Sequence, residues 1–437
     1  MRPAPHRFDA PAVLPAAGFL ATAVAFGPAR MGFGLFLPDF RESFQLSTEA
    51  AGLIATAAFA AFLAALPTAA ALLNRRGPRA PVLLGGAAAT LGMAAAALAE
   101  NAWMLAAGVI VAASSAGFAW TPYNNAAERI GARARRAQTL SIISTGTTVG
   151  VALAGALALA TSFGGFGWRA AWGLFALVAL AMTLVNVAAL RPVAGDPGRP
   201  AGAVAWRRIK RPETAPLALA AGSFGMTSSI YLSFAVDRAA TAGALAYGPM
   251  GSAAPLLFVA FGIAGLIGLF TGAIEDRIGL VALTRGLFLA SAASCALMAA
   301  APGAAWAVLL SAALQGAVVM MISAAFSFWS ARLFPTIPSV SFTAVLIAVA
   351  AGGVIGPALA GSAAGAIGLE GVFFAAAALS LATPLGMRKD LIERASSRPW
   401  RPGRRSRTIY PAPKRGRRDS ASSGQGQSSP RSLQRFR

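Results

Sequence analysis

The chain has 437 residues, of which 57% are hydrophobic and only 12% are charged, and its mean hydropathy is +0.64. A soluble domain carries roughly twice that share of charged residues, so the composition excludes an ordinary soluble protein and indicates a polytopic membrane protein. Much of the net charge of +22 lies in the C-terminal residues 388–437, so it is not evidence for a nucleic-acid partner, and we expect none.

Apolar runs of about 20 residues, the length of a membrane-spanning helix, recur along the chain. We therefore predict an all-α fold of twelve membrane-spanning helices in a lipid bilayer. The predicted spans are 13–38, 50–73, 80–99, 102–126, 138–162, 169–190, 215–237, 249–272, 280–300, 304–330, 339–365 and 369–387.

Charged residues between the spans alternate in sign. Every second connection is rich in arginine, whereas the others hold most of the acidic residues, among them Asp39, Glu49 and Asp237. Because positive residues concentrate in cytoplasmic loops, this pattern places both termini in the cytoplasm. We expect a multi-pass protein of the cell inner (plasma) membrane.

The longest basic connection divides the spans six and six. We predict a cytoplasmic N-terminal tail at 1–12, a six-helix bundle at 13–190, a cytoplasmic loop at 191–214, a second six-helix bundle at 215–387 and a basic cytoplasmic tail at 388–437. The last segment is rich in Ser, Pro, Gly and Arg without apolar periodicity, which is typical of disorder. Its charge favours contact with anionic lipid headgroups.

The two halves share sequence patterns in register. GVALAG at 150–155 matches GPALAG at 356–361, and LLNRRG at 72–77 matches IEDRIG at 274–279. These pairs are shifted by roughly 200 residues, which indicates an internal duplication of the kind from which transporters are often built.

With this repeat, the chain resembles the major facilitator superfamily of secondary transporters over about 13–387. The resemblance also rests on the superfamily loop signature Gly-x-x-x-Asp-Arg-x-Gly, which GAIEDRIG fits from Gly272 to Gly279. The first-half copy departs from the signature, with Ala70 for the leading glycine and Asn74 for the aspartate. The resemblance implies two pseudo-symmetric six-helix halves and alternating access to a site between them.

We predict a conformational latch at these two loops. Asp276 is placed to pair with the positive dipole end of the fifth span and with Arg277, which would hold the halves together on the cytoplasmic side. The alternative is that both residues are ordinary solvated loop charges. The predicted latch residues are Asn74, Arg75, Gly77, Gly272, Asp276, Arg277 and Gly279.

Small residues recur every four positions in the fifth and eleventh spans. Such a face allows close approach between helices, and we expect it to pack against the opposite half, although a high Ala and Gly background would give a similar pattern. The predicted packing residues are Gly146, Gly150, Gly155, Gly352, Gly356 and Gly361.

Arg30 stands inside the first apolar run, VAFGPARMGFGLFLP. It lies about 12 Å along a helix axis from Pro38, too deep for its guanidinium to reach the headgroups fully. Facing lipid it would cost about 2.5 to 3.5 kcal/mol. We predict that it faces a cavity and attracts an anionic or carboxylate-bearing solute. The alternative is a structural arginine bonded to helix-end carbonyls or to Asp39.

Other polar residues of the spans are candidates for the same cavity, although each could form an interhelical hydrogen bond instead. They are Tyr123, Asn124, Thr227, Tyr231 and Gln315. No Asp or Glu falls in the middle of a predicted span, so uniport, anion exchange and proton coupling through Asp39 or Asp237 all remain open.

The sequence thus predicts a secondary transporter, acting as a monomer, that moves a small anionic or carboxylate-bearing solute. No metal cluster, nucleophile triad or phosphate-binding loop is evident, so we expect no enzyme, metal site or cofactor. One alternative is an exporter of amphipathic or neutral compounds in which Arg30 is structural. Another is a non-transporting membrane scaffold that uses its basic tail.

Overall fold

The computed structural model describes residues 10–128, 133–190, 214–245, 254–334 and 338–387. Within these ranges the chain is helical, and eleven helical segments are long and apolar enough to cross a membrane. The predicted all-α polytopic fold is therefore confirmed. Most of the predicted N-terminal tail, nearly all of the central loop and the basic C-terminal tail lie outside the described residues.

The described part of the first half contains six spans, and a short helix follows the first of them. The spans are α1 (Val13–Leu35), α2 (Thr48–Arg76), α3 (Arg79–Ala97), α4 (Ala102–Tyr123), α5 (Gln138–Phe163) and α6 (Trp168–Ala189). The short helix Leu37–Phe44 follows α1. The first span ends before the predicted residue 38, and a separate helix with Pro38 in its first turn begins there.

The second half begins with α7 (Ala215–Thr241), α8 (Leu256–Ile278), α9 (Leu280–Ala300) and α10 (Ala305–Leu333). The last helical segment, Ser341–Gly386, has 46 residues, which is more than twice the length that a bilayer needs. It turns at Gly368, where φ is +67°, and so forms two spans, α11 (341–367) and α12 (369–386). Residues 249–253 of the predicted eighth span lie outside the described part.

The internal duplication is visible at two helix ends. Gly77 ends the helix of α2 with φ at +71°, and Gly279 ends the helix of α8 with φ at +79°. Glycine adopts this backbone conformation without the steric cost that a Cβ imposes. The loop match between LLNRRG and IEDRIG therefore conserves the same turn after the second and eighth spans.

The bundle has two chemically different ends. The basic end carries most of the described arginines of the interhelical connections: Arg75, Arg76, Arg79, Arg277 and Arg332. The acidic end carries the acidic residues of the alternate connections and helix termini: Asp39, Glu42, Glu49, Glu100, Asp237 and Glu370. Charge alternation along the sequence thus becomes charge separation across the fold.

Glycines of α5 and α11 divide into two sets by what they touch. A Cβ at Gly146 or Gly150 would overlap the backbone of α1, and one at Gly352 or Gly356 would overlap that of α7. These four positions pack within their own half, so the expectation that the glycine face meets the opposite half needs correction there.

The remaining two glycines, nearer the acidic end, do face the opposite half. A Cβ at Gly155 would lie 2.9 Å from Cβ of Phe258 on α8, and one at Gly361 would lie 3.0 Å from the carbonyl oxygen of Thr48 on α2. The pairs α5–α1 and α11–α7, and likewise α5–α8 and α11–α2, are related by the repeat. The packing is therefore pseudo-symmetric.

Candidate functional site

The candidate site begins with a break in α1. Its helix divides into Ala10–Phe26 and Pro28–Leu35 because Pro28 has no N–H to continue the hydrogen-bond ladder. At the break, Gly27 packs against Gly150 of α5, and a Cβ there would lie 2.5 Å from its carbonyl carbon. The second piece of α1 carries Arg30.

The Arg30 guanidinium lies among three aromatic rings. Its Cζ is 4.2 Å from the ring centroid of Phe62, 5.3 Å from that of Phe59 and 5.5 Å from that of Phe26. At these distances the electron-rich ring faces attract the cation. The rings thus stabilise the charge within the apolar bundle.

The edge of the guanidinium has no hydrogen-bond partner among the described residues. Nε of Arg30 is buried and has no hydrogen bond, and none of the described contacts gives this arginine a carboxylate or a carbonyl acceptor. A guanidinium has five N–H donors in its plane, and attraction to aromatic rings does not give these donors hydrogen-bond acceptors. An acceptor in that plane, above all a carboxylate, would complete the site.

A cavity adjoins Arg30 between the two halves. It is narrow in this conformation, with a free volume of about 20 Å³, which is about enough for one water molecule, and it is partly open to solvent. Its lining residues are Arg30, Phe33, Gly34, Ala55, Ala58, Phe59, Phe62, Ala113, Leu232 and Ser233. Because Arg30 is the one charged group among these lining residues, the cavity has a net positive charge.

Close contacts between the halves shut the acidic end. Nη1 of Arg41, in the helix Leu37–Phe44, lies 2.6 Å from Oδ2 of Asp237 on α7, whose side chain is only 4% exposed. Gly34 of α1 meets the backbone of Leu232, where a Cβ would overlap the carbonyl oxygen. These contacts therefore separate the cavity from the acidic end of the bundle.

Aromatic packing fixes the helix that carries Arg41. The ring of Phe40 meets Trp168 of α6 edge-on at 5.0 Å, and Nε1 of Trp168 donates to Oγ of Ser43 at 2.8 Å. Arg169 stacks over Trp168 at 4.2 Å and donates to the carbonyl oxygen of Ala99 at 3.0 Å. The Arg41–Asp237 contact therefore joins α7 to a well-supported element of the first half.

Comparison with known protein families agrees with this architecture. Residues 18–344 match the Major Facilitator Superfamily, a match over most of the chain. The chain belongs to the Major Facilitator Superfamily. The two-half bundle, the repeat and the loop signature are thus those of a superfamily of membrane transporters.

Among the curated relatives of this superfamily member are two monocarboxylate transporters. Monocarboxylate transporter 11 of Mus musculus is 34% identical over 191 residues, which are 43% of this chain and 42% of the relative. Monocarboxylate transporter 11 of Homo sapiens is 33% identical over 193 residues, 43% of this chain and 40% of the relative. The chain thus matches about two fifths of the length of these relatives.

Solved transporter structures share the fold of this superfamily member. A variant of the peptide transporter POT superposes with a TM-score of 0.72, covering 90% of this chain and 96% of that one at 13% identity. A variant of the nucleoside transporter NupG gives a TM-score of 0.67, covering 86% and 98% at 13% identity. At this identity the likeness concerns the fold alone.

The structure places the two predicted site tyrosines in interhelical hydrogen bonds. Tyr123 is buried, and its hydroxyl bonds Asn186 of α6 and, at 3.3 Å, the carbonyl oxygen of Ala17. The hydroxyl oxygen of Tyr231 lies 2.9 Å from Oγ of Ser311 on α10, within hydrogen-bond distance. Their predicted contact with a solute stays a prediction.

The other predicted polar residues differ in their environments. Thr227 is buried and donates to Ser223 of its own helix at 3.1 Å. Gln315 is buried, and neither atom of its side-chain amide has a hydrogen-bond partner. The side chain of Asn124 lies outside the described residues. Among these, Gln315 is the one with unused hydrogen-bonding capacity.

The charged residues of the predicted latch are exposed. Asp276 and Arg277 lie at the surface of the basic end, while the preceding residue, Glu275, pairs with Arg332 of α10. The first-turn side chains of the helix that contains α5, residues 133–137, lie outside the described part. The latch between Asp276 and that helix end therefore stays a prediction. Elsewhere among the described residues, no group of His, Cys, Asp or Glu is arranged to hold a metal ion.

Sequence reasoning missed the aromatic residues around Arg30. Phe59 and Phe62 are three residues apart, a spacing that places both on one face of α2, but an apolar stripe on a membrane helix has the same appearance when it faces lipid. The Arg41–Asp237 pair was also missed as a pair. Both residues follow or end a predicted span at the acidic end, and that shared position was the available signal.

Asp39 gives a prediction on pH. Burial is the main cause that raises the pKa of its carboxyl, a backbone hydrogen bond lowers it and the charge of Glu42 raises it, which together give a pKa of about 6. Since the folded state binds this proton more tightly than the unfolded state, whose pKa is near 3.9, stability is lost as pH rises from about 4 to about 6.

We expect the always neutral Asp39→Asn to melt at a higher temperature than wild type at pH 7 to 8, and its Tm to vary less between pH 4 and 6. Thermal unfolding in detergent across this range measures both effects. Glu100→Gln, at an exposed position of the same end, is the control. A Tm profile of Asp39→Asn that superposes on wild type would contradict the assignment.

Proposed function

We propose that this chain transports small monocarboxylates or similar anions across the membrane, with Arg30 as the cation that binds them. The observation that carries the proposal is the free edge of the Arg30 guanidinium in a cavity between the two halves. A buried charge without a counterion is unfavourable, so an anionic solute would find there a partner that the protein itself does not supply.

The relatives support the same class of solute. Two proteins whose names describe them as monocarboxylate transporters match this chain over 43% of its length. A carboxylate presents two oxygens in one plane, which suits the planar fork of an arginine better than the point charge of a lysine. The three aromatic rings carry no oxygen acceptor, so their contacts with Arg30 leave its N–H donors available to a solute.

The orientation is part of the proposal. The basic end would face the cytoplasm, because positive residues concentrate in cytoplasmic loops, and both termini would lie on that side of the inner membrane. The halves 13–190 and 215–387 would then rock about the cavity as two bodies. The tail 388–437 would add attraction to anionic lipid headgroups without lining the site.

Alternating access assigns a role to the contacts at the acidic end. For a solute to enter from that side, Arg41 must leave Asp237 and the contact between α2 and α11 must part. The ion pair stabilises the closed state, because separation leaves the nearly buried Asp237 carboxylate without its positively charged partner. The structure is then the conformation closed at the acidic end.

The Arg41–Asp237 pair gives a prediction on this closure. Spin labels on cysteines at the exposed positions Glu49 and Ser362, on α2 and α11, report the separation at that end, here named the acidic-end distance. The single native cysteine is replaced in this background (Cys295→Ala). We expect Arg41→Ala to raise the population of long distances roughly tenfold, since loss of a partly buried pair costs on the order of 1 to 2 kcal/mol.

The charge-swapped double variant Arg41→Asp with Asp237→Arg is the control for this prediction. It restores opposite charges at the same positions, so we expect it to recover part of the short-distance population. Arg41→Ala with an unchanged distance distribution would show that the ion pair does not hold the acidic end closed.

Solute uptake tests the proposed function. The purified chain in liposomes should exchange labelled pyruvate or benzoate and leave the neutral amides pyruvamide and benzamide outside. Each amide matches its acid in size and shape, so the comparison isolates charge. Transport of the amides as fast as the acids would support an exporter of neutral compounds, and no transport of any of the four would support a scaffold.

A further inference from the structure

Phe59 touches both the candidate cation and the opposite half of the bundle. Its ring centroid lies 5.3 Å from Cζ of Arg30, and its Cδ1 is 3.0 Å from the position of a Cβ at Gly353 of α11. The side chain is 9% exposed. One ring thus lies between the guanidinium and a helix that must move when the acidic end opens.

The surrounding contact between α2 and α11 is close and continuous. Oγ1 of Thr56 donates to the carbonyl oxygen of Val354 at 3.0 Å. A Cβ at Gly52 would lie 2.5 Å from the carbonyl oxygen of Pro357. Phe59 lies one turn of α2 beyond Thr56, toward the cavity. The absence of a side chain at Gly353 is what lets the ring rest against α11.

We propose that Phe59 is a positioning residue that couples solute binding at Arg30 to closure of the acidic end. This inference rests on the proposed function of Arg30. While α11 is in place, the contact with Gly353 holds the ring against the guanidinium, which keeps Arg30 in its position beside the cavity. When α11 moves away, the ring loses that wall and Arg30 loses one of its three aromatic contacts.

A thermodynamic consequence follows. If the closed acidic end orients Arg30 better, a carboxylate binds the closed state more tightly than the open one. Coupling between two equilibria is reciprocal, so the solute must favour the closed state by the same factor. Since Phe59 contacts both Arg30 and α11, loss of its ring should reduce the coupling between solute binding and closure as well as the affinity for the carboxylate.

The acidic-end distance measures this coupling. With saturating pyruvate or benzoate, we expect the ratio of short to long distances in the otherwise wild-type chain to rise about fivefold or more, a usual size for coupling. In Phe59→Leu, carboxylate binding should weaken about three- to tenfold, as for loss of one cation–π contact, and the rise in the ratio should fall below about twofold. Phe59→Tyr keeps the ring and should keep most of the response.

Two glycine variants of α11 separate this effect from general damage to the helix. Gly353→Ala places a methyl group against the ring of Phe59 and should reduce the response to carboxylate. Gly365→Ala, on the same helix, meets no atom within 4 Å and should leave it unchanged. Neither residue lines the cavity, so direct contact with a solute does not account for a difference between them.

The outcomes are distinct. If wild type binds neither carboxylate, the proposed function is wrong and the coupling falls with it. If wild type binds a carboxylate and its ratio of short to long distances rises, then an equal rise in Phe59→Leu at reduced affinity would overturn the proposed coupling but not the proposed function. Equal responses in Phe59→Leu and Phe59→Tyr, or in Gly353→Ala and Gly365→Ala, would overturn it too.

Discussion

Replacing Arg30 with alanine is expected to weaken carboxylate binding roughly ten- to a hundredfold while the protein still inserts and folds. A charge-assisted hydrogen-bonded contact in a partly wet cavity contributes about 1.5 to 3 kcal/mol, which corresponds to that range. Binding of the neutral amides should change little. Calorimetric titration of benzoate and benzamide into purified wild type and variant measures both effects.

Two further arginine variants sharpen this result. Arg30→Lys keeps the charge but loses the planar fork, so its affinity for benzoate should lie between those of wild type and Arg30→Ala. Arg169 also stacks on an aromatic ring, at 4.2 Å from Trp168, but lies at the acidic end away from the cavity. Arg169→Ala should therefore bind benzoate as wild type does.

A structural role for Arg30 predicts a different pattern. Arg30→Ala and Arg30→Lys would then both reduce membrane yield and thermal stability, and their binding of acids and amides would fall in parallel. A well-folded Arg30→Ala that binds benzoate like wild type would remove this residue from the site.

Gly34→Ala is expected to abolish transport by preventing closure of the acidic end. The added Cβ would overlap the carbonyl oxygen of Leu232 on α7, a backbone atom that cannot turn away as a side chain can. Overpacking of this kind costs about 1 to 3 kcal/mol, so the closed state should lose population by roughly 5- to 150-fold. The acidic-end distance should lengthen accordingly.

Two other glycines serve as controls for Gly34→Ala. Gly150 meets the backbone of Ala23 within the first half, so Gly150→Ala should lower thermal stability without selectively lengthening the acidic-end distance. Gly173 on α6 meets no atom within 4 Å, and Gly173→Ala should resemble wild type. A Gly34→Ala protein with wild-type uptake and distances would show that the closed contact is not part of the cycle.

Much of the fold could be predicted because hydropathy and charge depend on sequence alone. The spans follow from apolar length, and the duplication follows from matched motifs such as the turns at Gly77 and Gly279. The side chains around Arg30 could not be predicted in the same way. Lipid tails are as apolar as a neighbouring helix, so an Ala-rich helix carries little information about which face meets which partner.

The glycine faces illustrate this limit. The spacing of Gly146, Gly150 and Gly155 indicated close approach, but not that the first two meet α1 and the third meets α8. Their partners depend on the rotation of α5 between two neighbours that are both apolar. Arg30 was easier to interpret, because a charge in an apolar span has few tolerable environments.

The most direct test of the central claim is to locate a bound carboxylate. A structure of the chain with 4-iodobenzoate, in which the iodine marks the ligand, shows where the acid group lies. We predict that the carboxylate lies in the plane of the Arg30 guanidinium, within hydrogen-bond distance of its edge and between the two halves. Iodobenzoate bound elsewhere, with the edge of Arg30 still free, would contradict it.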